Sequence, residues 1–265
     1  MAAYILSFAL GIFFSVLEVI RLGWDWKLII FIPLTFLACI VGVFLIFLLV
    51  IWLISLTIDL DKKYAAPTKF YMDLINFTFS YVLLLIGVKV RIVGEEKLPK
   101  EGRFLVVSNH VAAFDPLIVI LGLKKTWVSY VSKPENFKIP IVGRYMHRCL
   151  HLPIDRDNPR NALVTINEAA DLIARGAVSM GIFPEGTRSK TGELGEFKNG
   201  AFKIAQKAKC PIVVAAIKGM DRAKHRLFLP TTVTLNILGV LPYSETAELR
   251  TADISEKVRS MILTA

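Results

Sequence analysis

At 265 residues the chain has room for one large domain, or for an ordinary domain with an appendage, and its charge is unevenly spread in favour of the second. Its formal net charge of +10 suits nucleic acid, an anionic membrane surface or an acidic substrate. Scattered Lys and Arg with no nucleic-acid module signature argue against nucleic acid, and the apolar runs beside them favour lipid.

Residues 2–17 are apolar and are followed by Glu18. This run reads as a first membrane span, a re-entrant piece or an interfacial helix. A cleaved signal peptide fits poorly, because no Lys or Arg precedes the run and no small-residue cleavage site follows it.

Residues 28–58 contain no charged side chain. As a helix they would extend about 45 Å against a hydrocarbon core of roughly 30 Å, which predicts a transmembrane helix with Pro33 in its first turn. Trp24 and Trp26 beside Arg21 and Lys27 resemble an interfacial belt, and Lys62 and Lys63 favour a cytoplasmic soluble domain. If both segments span, they form a hairpin with both ends in the cytoplasm of an integral cell-membrane protein. The division expected is a membrane anchor over residues 1–60 and a soluble domain over residues 61–265.

A further apolar stretch at about residues 68–87 is interrupted by Asp73 and Asn76, which predicts a packed or interfacial helix ended by Gly87. From Val88 on, short β-rich runs (residues 88–92, 104–107, 128–131, 178–183, 212–217 and 233–238) alternate with helical ones (117–121, 140–148, 159–175, 201–209 and 254–263). That order predicts an α/β fold with a central, mostly parallel sheet flanked by helices. Asn158 followed by Pro159 reads as cap and first turn of the longest helix.

The run Ser108-Asn109-His110-Val111-Ala112-Ala113-Phe114-Asp115-Pro116 follows a predicted strand. On a continuous helix His110 and Asp115 would point about 140° apart, so they meet only across a strand-to-helix turn. Asp115-Pro116 supplies one, reading as an N-cap and first helical position. Paired, the carboxylate would fix one imidazole tautomer and leave the other nitrogen to accept a proton. Taken alone, Asp115 reads equally as a helix cap and His110 as an incidental surface residue.

After another predicted strand comes Phe183-Pro184-Glu185-Gly186-Thr187-Arg188-Ser189, offering a guanidinium, a hydroxyl and backbone N–H groups at a strand end. Phe197-Lys198-Asn199-Gly200 adds a cation before a helix start. In isolation this second run reads as a solvated turn.

Together the runs resemble the glycerolipid acyltransferase family that includes the 1-acylglycerol-3-phosphate acyltransferases. The resemblance covers residues 94–217: Gly94-Glu95-Glu96-Lys97-Leu98-Pro99, NHVAAFDP, Pro140-Ile141-Val142-Gly143 leading to Leu152-Pro153-Ile154-Asp155-Arg156, FPEGTRS, and Cys210-Pro211-Ile212-Val213. Val214 stands where a second proline is expected. The resemblance implies that His110 is the general base, that Asp115 orients it, and that Arg156, Glu185, Gly186, Thr187 and Arg188 bind the glycerol phosphate, with Lys198 as a further cation. It implies a fatty acyl thioester, acyl-CoA or acyl carrier protein, as donor substrate, a lysophospholipid as acceptor, membrane lipids as surroundings, and neither a cofactor nor a metal. Lysophosphatidic acid is the expected acceptor. Glycerol 3-phosphate, another lysophospholipid and an aminoacyl-lipid or lyso-ornithine acceptor remain alternatives, as do a non-catalytic lipid-binding protein and a thioesterase-like hydrolase.

Other signals weigh less. His147 and His151 are four apart but lack a metalloprotease pattern. Cys149 and Cys210 are candidate nucleophiles, but Cys210 precedes Pro211 in an apolar strand and reads as core, and three cysteines without C-x-x-C spacing fit a reducing compartment. Arg222 to Arg226, with His225 between, form a basic loop, solvated or membrane-facing.

Overall fold

The computed structural model describes residues 2–189, 193–223, 225–226 and 228–265, so Lys224 of the basic loop lies outside the described residues. Two compact units divide the chain, Met1–Asp59 and Leu60–Ala265.

The first unit is a hairpin of α1 (Ala2–Leu22) and α2 (Leu28–Leu56). Both are long and apolar enough to cross a membrane, α1 over Ile5–Leu22. Helix α1 therefore runs past Glu18, the residue that makes the first run look short. The reason is a partner on the facing helix: the Thr35 hydroxyl donates to the Glu18 carboxylate at 2.5 Å. Phe8 and Phe36 pack with ring centroids 5.4 Å apart. Helix α2 starts at Leu28 as expected, but Pro33 is its sixth residue and so lies in the second turn, not the first, at about 3.6 residues per turn. Its absent N–H leaves the Ile29 carbonyl without the usual partner four residues on. Trp24 and Trp26 lie exposed in the connecting segment.

In the second unit, α3 (Lys69–Leu85) buries Met72, Ile75, Tyr81 and Leu83. Seven strands follow: β1 (Val88–Val93), β2 (Leu105–Ser108), β3 (Val128–Ser132), β4 (Leu152–Pro153), β5 (Ser179–Ile182), β6 (Ile212–Lys218) and β7 (Thr231–Leu241). They form one sheet in the order β1-β7-β6-β2-β5-β3-β4, parallel throughout except between β6 and β7. The main helices between and after them are α4 (Asp115–Gly122), α5 (Val142–Arg148), α6 (Pro159–Ala174), α7 (Lys203–Ala208), α8 (Met220–Ala223), α9 (Tyr243–Thr246) and α10 (Thr251–Leu263).

Strands covered on both faces should read as unbroken apolar runs, and β2 and β6 do. Leu105 and Val107 of β2 face one core cluster with Ile166 of α6 and Ile254 of α10, whereas Phe104 and Val106 face the other with Ile118 of α4 and Leu83 of α3. Asn158 caps α6, its side-chain oxygen accepting the N–H groups of Arg160 at 3.0 Å and Asn161 at 3.3 Å. Val214 sits beside a register shift between β6 and β7, opposite Gly239, a place where sheets best tolerate a residue lacking an N–H.

Gly87 ends the α3 region with φ of +78°, and a Cβ there would lie 2.6 Å from the Leu229 carbonyl oxygen. Gly176 has a similar φ of +74° but open space around it. Gly87→Ala is therefore expected to lower the denaturation midpoint of the second unit more than Gly176→Ala, which should cost about 1 kcal/mol for its backbone alone. Chemical denaturation followed by fluorescence compares the two; equal losses would mean the contact with Leu229 is unimportant.

Candidate active site

The parallel strands β2 and β5 end side by side at one edge of the sheet, and both candidate motifs leave from there. Asn109, the first residue beyond β2, clamps the exit. Its amide donates to the Ile217 carbonyl at 3.1 Å, and its oxygen accepts the Ile217 N–H at 2.8 Å. The chain then turns through residues 110–114 into α4.

Asp115 is fully buried, 0% exposed, and one of its oxygens organises the turn. Oδ2 accepts the N–H groups of Val111 at 2.6 Å and Ala112 at 2.8 Å and lies 2.9 Å from His110 Nδ1. Asp115 is thus the first helical residue, with Phe114 as cap, rather than the N-cap expected from sequence. The Leu117 N–H that an Asp115 cap would take is already bonded to the Phe114 carbonyl at 3.0 Å, so the carboxylate reaches back to the preceding turn instead. An oxygen that accepts two amides takes its third bond from Nδ1–H, which leaves His110 Nε2 with a free lone pair.

The imidazole rests on the second motif. Its ring stacks on Phe183 with centroids 4.1 Å apart and planes 10° apart, and Phe183 stacks in turn on Tyr130 at 5.0 Å. Gly181 of β5 leaves room for Tyr130: a Cβ there would lie 2.5 Å from its ring. Burial, and then the nearby Asp115 carboxylate, push the Tyr130 hydroxyl well above its usual range, so it stays protonated.

Glu185 is buried, and both its oxygens go to backbone: Oε1 accepts the His110 N–H at 2.7 Å and Oε2 the Gly195 N–H at 2.9 Å. Ser189 N–H donates to the His110 carbonyl at 2.8 Å, so the two motifs are sewn together on both sides of the histidine. A Cβ at Gly186 would lie 3.8 Å from Arg156 Nη1, which brings that guanidinium against the turn. Partial desolvation lowers the Arg156 pKa, with Glu135 opposing. Thr187 and Arg188 are exposed on the same turn. Lys198 is exposed too and is tied to the turn by its N–H, which donates to the Pro184 carbonyl at 2.8 Å. Of the residues singled out from sequence, His110, Asp115, Glu185, Gly186 and Arg156 are thus brought together. Thr187, Arg188 and Lys198 sit on the loops that border them.

The remaining nucleophile and ligand candidates are otherwise engaged. Burial raises the thiols of Cys149 to about 12 and Cys210 to about 11, so both stay protonated. His147 Nε2 lies 3.0 Å from the Lys62 carbonyl, whereas His151 Nδ1 accepts the Tyr130 N–H at 3.1 Å. Among the described residues no three His, Cys, Asp or Glu side chains converge as a metal site.

Phe183, Tyr130 and Asn109 support the histidine without having been singled out for that role. The aromatic at the head of FPEGTRS and the asparagine at the head of NHVAAFDP were readable signals for Phe183 and Asn109; nothing in sequence marked Tyr130.

Residues 89–218 match the family model described as Acyltransferase. The 1-acyl-sn-glycerol-3-phosphate acyltransferase of Chlamydomonas reinhardtii is 34% identical over 165 residues, 60% of this chain and 49% of that protein. The chloroplastic 1-acyl-sn-glycerol-3-phosphate acyltransferase of Arabidopsis thaliana is 38% identical over 51% of this chain and 37% of its own length. The chain thus spans half or less of the length of these relatives. The crystal structure of the 1-acyl-sn-glycerophosphate acyltransferase of Thermotoga maritima superposes with a TM-score of 0.61 at 25% identity, covering 72% of this chain and 76% of that one.

Burial lowers the His151 pKa from 6.5 to about 4. The unfolded chain therefore binds a proton that the folded chain refuses over that interval. The neutral ring's contribution is intact above pH 6.5 and is lost as pH falls towards 4, by up to about 3 kcal/mol. His151→Asn, which keeps an acceptor for the Tyr130 N–H, is expected to flatten the loss of thermal midpoint between neutral and mildly acidic pH. An unchanged slope would assign the acid sensitivity elsewhere.

Proposed function

We propose that this chain, whose residues 89–218 match the acyltransferase family model, moves a fatty acyl group from a thioester to the sn-2 hydroxyl of 1-acylglycerol 3-phosphate, giving phosphatidic acid. The donor is acyl-CoA or acyl carrier protein, a substrate in either case, and the site residues need no cofactor for this chemistry. The observation that carries the reading is the 2.9 Å His110–Asp115 pair beside the turn that bears Arg188.

In this reading His110 Nε2 takes the proton of the acceptor hydroxyl as its oxygen attacks the thioester carbonyl carbon. The tetrahedral adduct collapses with cleavage of the C–S bond, and the departing thiolate takes the proton back from the imidazolium. Asp115 holds the tautomer and offsets the charge that develops on the ring. Base catalysis contributes typically 10²–10⁴-fold, so positioning of the two substrates supplies much of the remainder. Arg156, Thr187, Arg188 and Lys198 offer cations and a hydroxyl to the phosphate. Glu185 and Gly186 act by shaping that loop, since the carboxylate is spent on the His110 and Gly195 amides. No acyl-enzyme is required, and Ser108, 1% exposed inside β2, is unsuited to be a nucleophile.

The two membrane-capable helices suit an enzyme whose acceptor and product reside in a bilayer. Lys62 and Lys63 just beyond α2 put the catalytic unit on the cytoplasmic side of the cell membrane in this proposal.

Acyl transfer from a radiolabelled donor in detergent, with and without 1-acylglycerol 3-phosphate and with each carrier, tests the reading. Labelled phosphatidic acid is the expected product; free acid would mean a hydrolase, and no turnover a lipid-binding protein. His110→Ala should reduce transfer by at least about 10²–10⁴-fold while the fold is kept, and turnover retained in a folded variant would remove the mechanism. Arg188→Ala should act mainly on the acceptor, raising its KM about tenfold or more with a smaller change in kcat. An equal effect on a phosphate-free acceptor would dissociate Arg188 from the phosphate.

A further inference from the structure

Helix α3 packs one face into the second unit and turns another outward. Exposed on that outer face are Phe70, Phe77 and Leu84, spaced by seven residues, so each falls within about 20° of the one before it on an α-helix. The Lys69–Asp73 ion pair and Ser80 lie among them.

The segment between β6 and β7 is fastened at the end of this stripe. Phe228 N–H donates to the Ile86 carbonyl at 3.1 Å, and Thr231 N–H to the Gly87 carbonyl at 2.8 Å. Phe228 is 74% exposed and holds φ of +69°, a left-handed backbone that a bulky residue rarely adopts. At that exposure little packing offsets the conformation, as expected of a side chain kept for a partner. Leu229 beside it is exposed as well. Arg222, His225 and Arg226 are exposed in the same segment, with Asp221 as the one acidic neighbour there.

Topology places these features at the edge of the sheet that carries the site. Strands β6 and β2 are parallel and end together, β7 runs back antiparallel from β6, and β1 starts beside β7. The end of α3, the segment before β7 and the His110 turn therefore share one edge, and Asn109 bonds directly to Ile217 at the end of β6.

We infer that Phe228 and Leu229, together with the Phe70, Phe77 and Leu84 stripe of α3, form a surface that docks onto an anionic bilayer, with Arg222, His225 and Arg226 meeting lipid headgroups. Exposed aromatic and aliphatic tips flanked by cations match the boundary between acyl chains and negative headgroups. A protein partner is disfavoured because Arg222 and Arg226 lie next to the exposed apolar side chains of Phe228 and Leu229, and because this chain already carries two membrane-capable helices. Resting on the acyl-transfer reading, the consequence is that a bilayer-resident acceptor meets His110 from the lipid side.

The full chain reconstituted into phosphatidylcholine vesicles, with and without phosphatidylglycerol, tests the surface without any turnover, so its outcome is separate from that of the enzymatic assay. The emission that F228W adds to the native tryptophans is the readout, with L84W as a second reporter on α3. In phosphatidylglycerol vesicles both additions should shift to the blue, be quenched by lipids brominated on their acyl chains, and resist aqueous iodide. The R222Q/R226Q background should lose the extra quenching gained with phosphatidylglycerol. Additions quenched by iodide and untouched by brominated lipid would overturn the docking surface. Equal lipid quenching with and without anionic lipid would overturn the assignment of the cations.

Discussion

One buried oxygen sets the geometry of the site. Asp115 Oδ2 gathers two backbone amides and the His110 imidazole, so the turn after β2 has little freedom left once that carboxylate is in place. Glu185 repeats the device from the other motif, holding the His110 and Gly195 amides. The histidine is fixed by its backbone, by its Nδ1 and by the face of its ring, while Nε2 keeps the lone pair that the proposed reaction uses. Such preorganisation matters because a base displaced by an ångström loses much of its effect.

The sheet explains why the two motifs meet although some seventy residues of chain lie between them. Parallel strands present their C-terminal ends at one edge, and neighbours in the sheet deliver their following loops to one place. β2 and β5 are such neighbours, with Val107 paired to Ile182, so the turn from each emerges beside the other. Residues 89–218, matched by the family model, contain both of these strands and every residue that touches His110 in the structure described above.

The sequence made parts of this legible for physical reasons and hid others. A five-residue spacing that fails on a helix but succeeds across a turn pointed to the pairing of His110 with Asp115, and Asn158-Pro159 marked the start of α6 because capping is local chemistry. Asp115 was misread as an N-cap, since its choice between downstream and upstream amides depends on Phe114 having already taken the Leu117 N–H. Nothing local reveals that both Glu185 oxygens accept amides of two other loops, so that part of the site stayed hidden in the sequence. Strand order and the antiparallel β6–β7 pair are products of long-range packing that alternation alone does not encode.

The central claim is that His110 and Asp115 act as a single unit, and a double-mutant cycle on acyl transfer tests it most directly. If the carboxylate works only through the imidazole, the H110A/D115A variant should be no slower than H110A alone. Losses that multiply in the double variant would show two independent contributions and contradict the account.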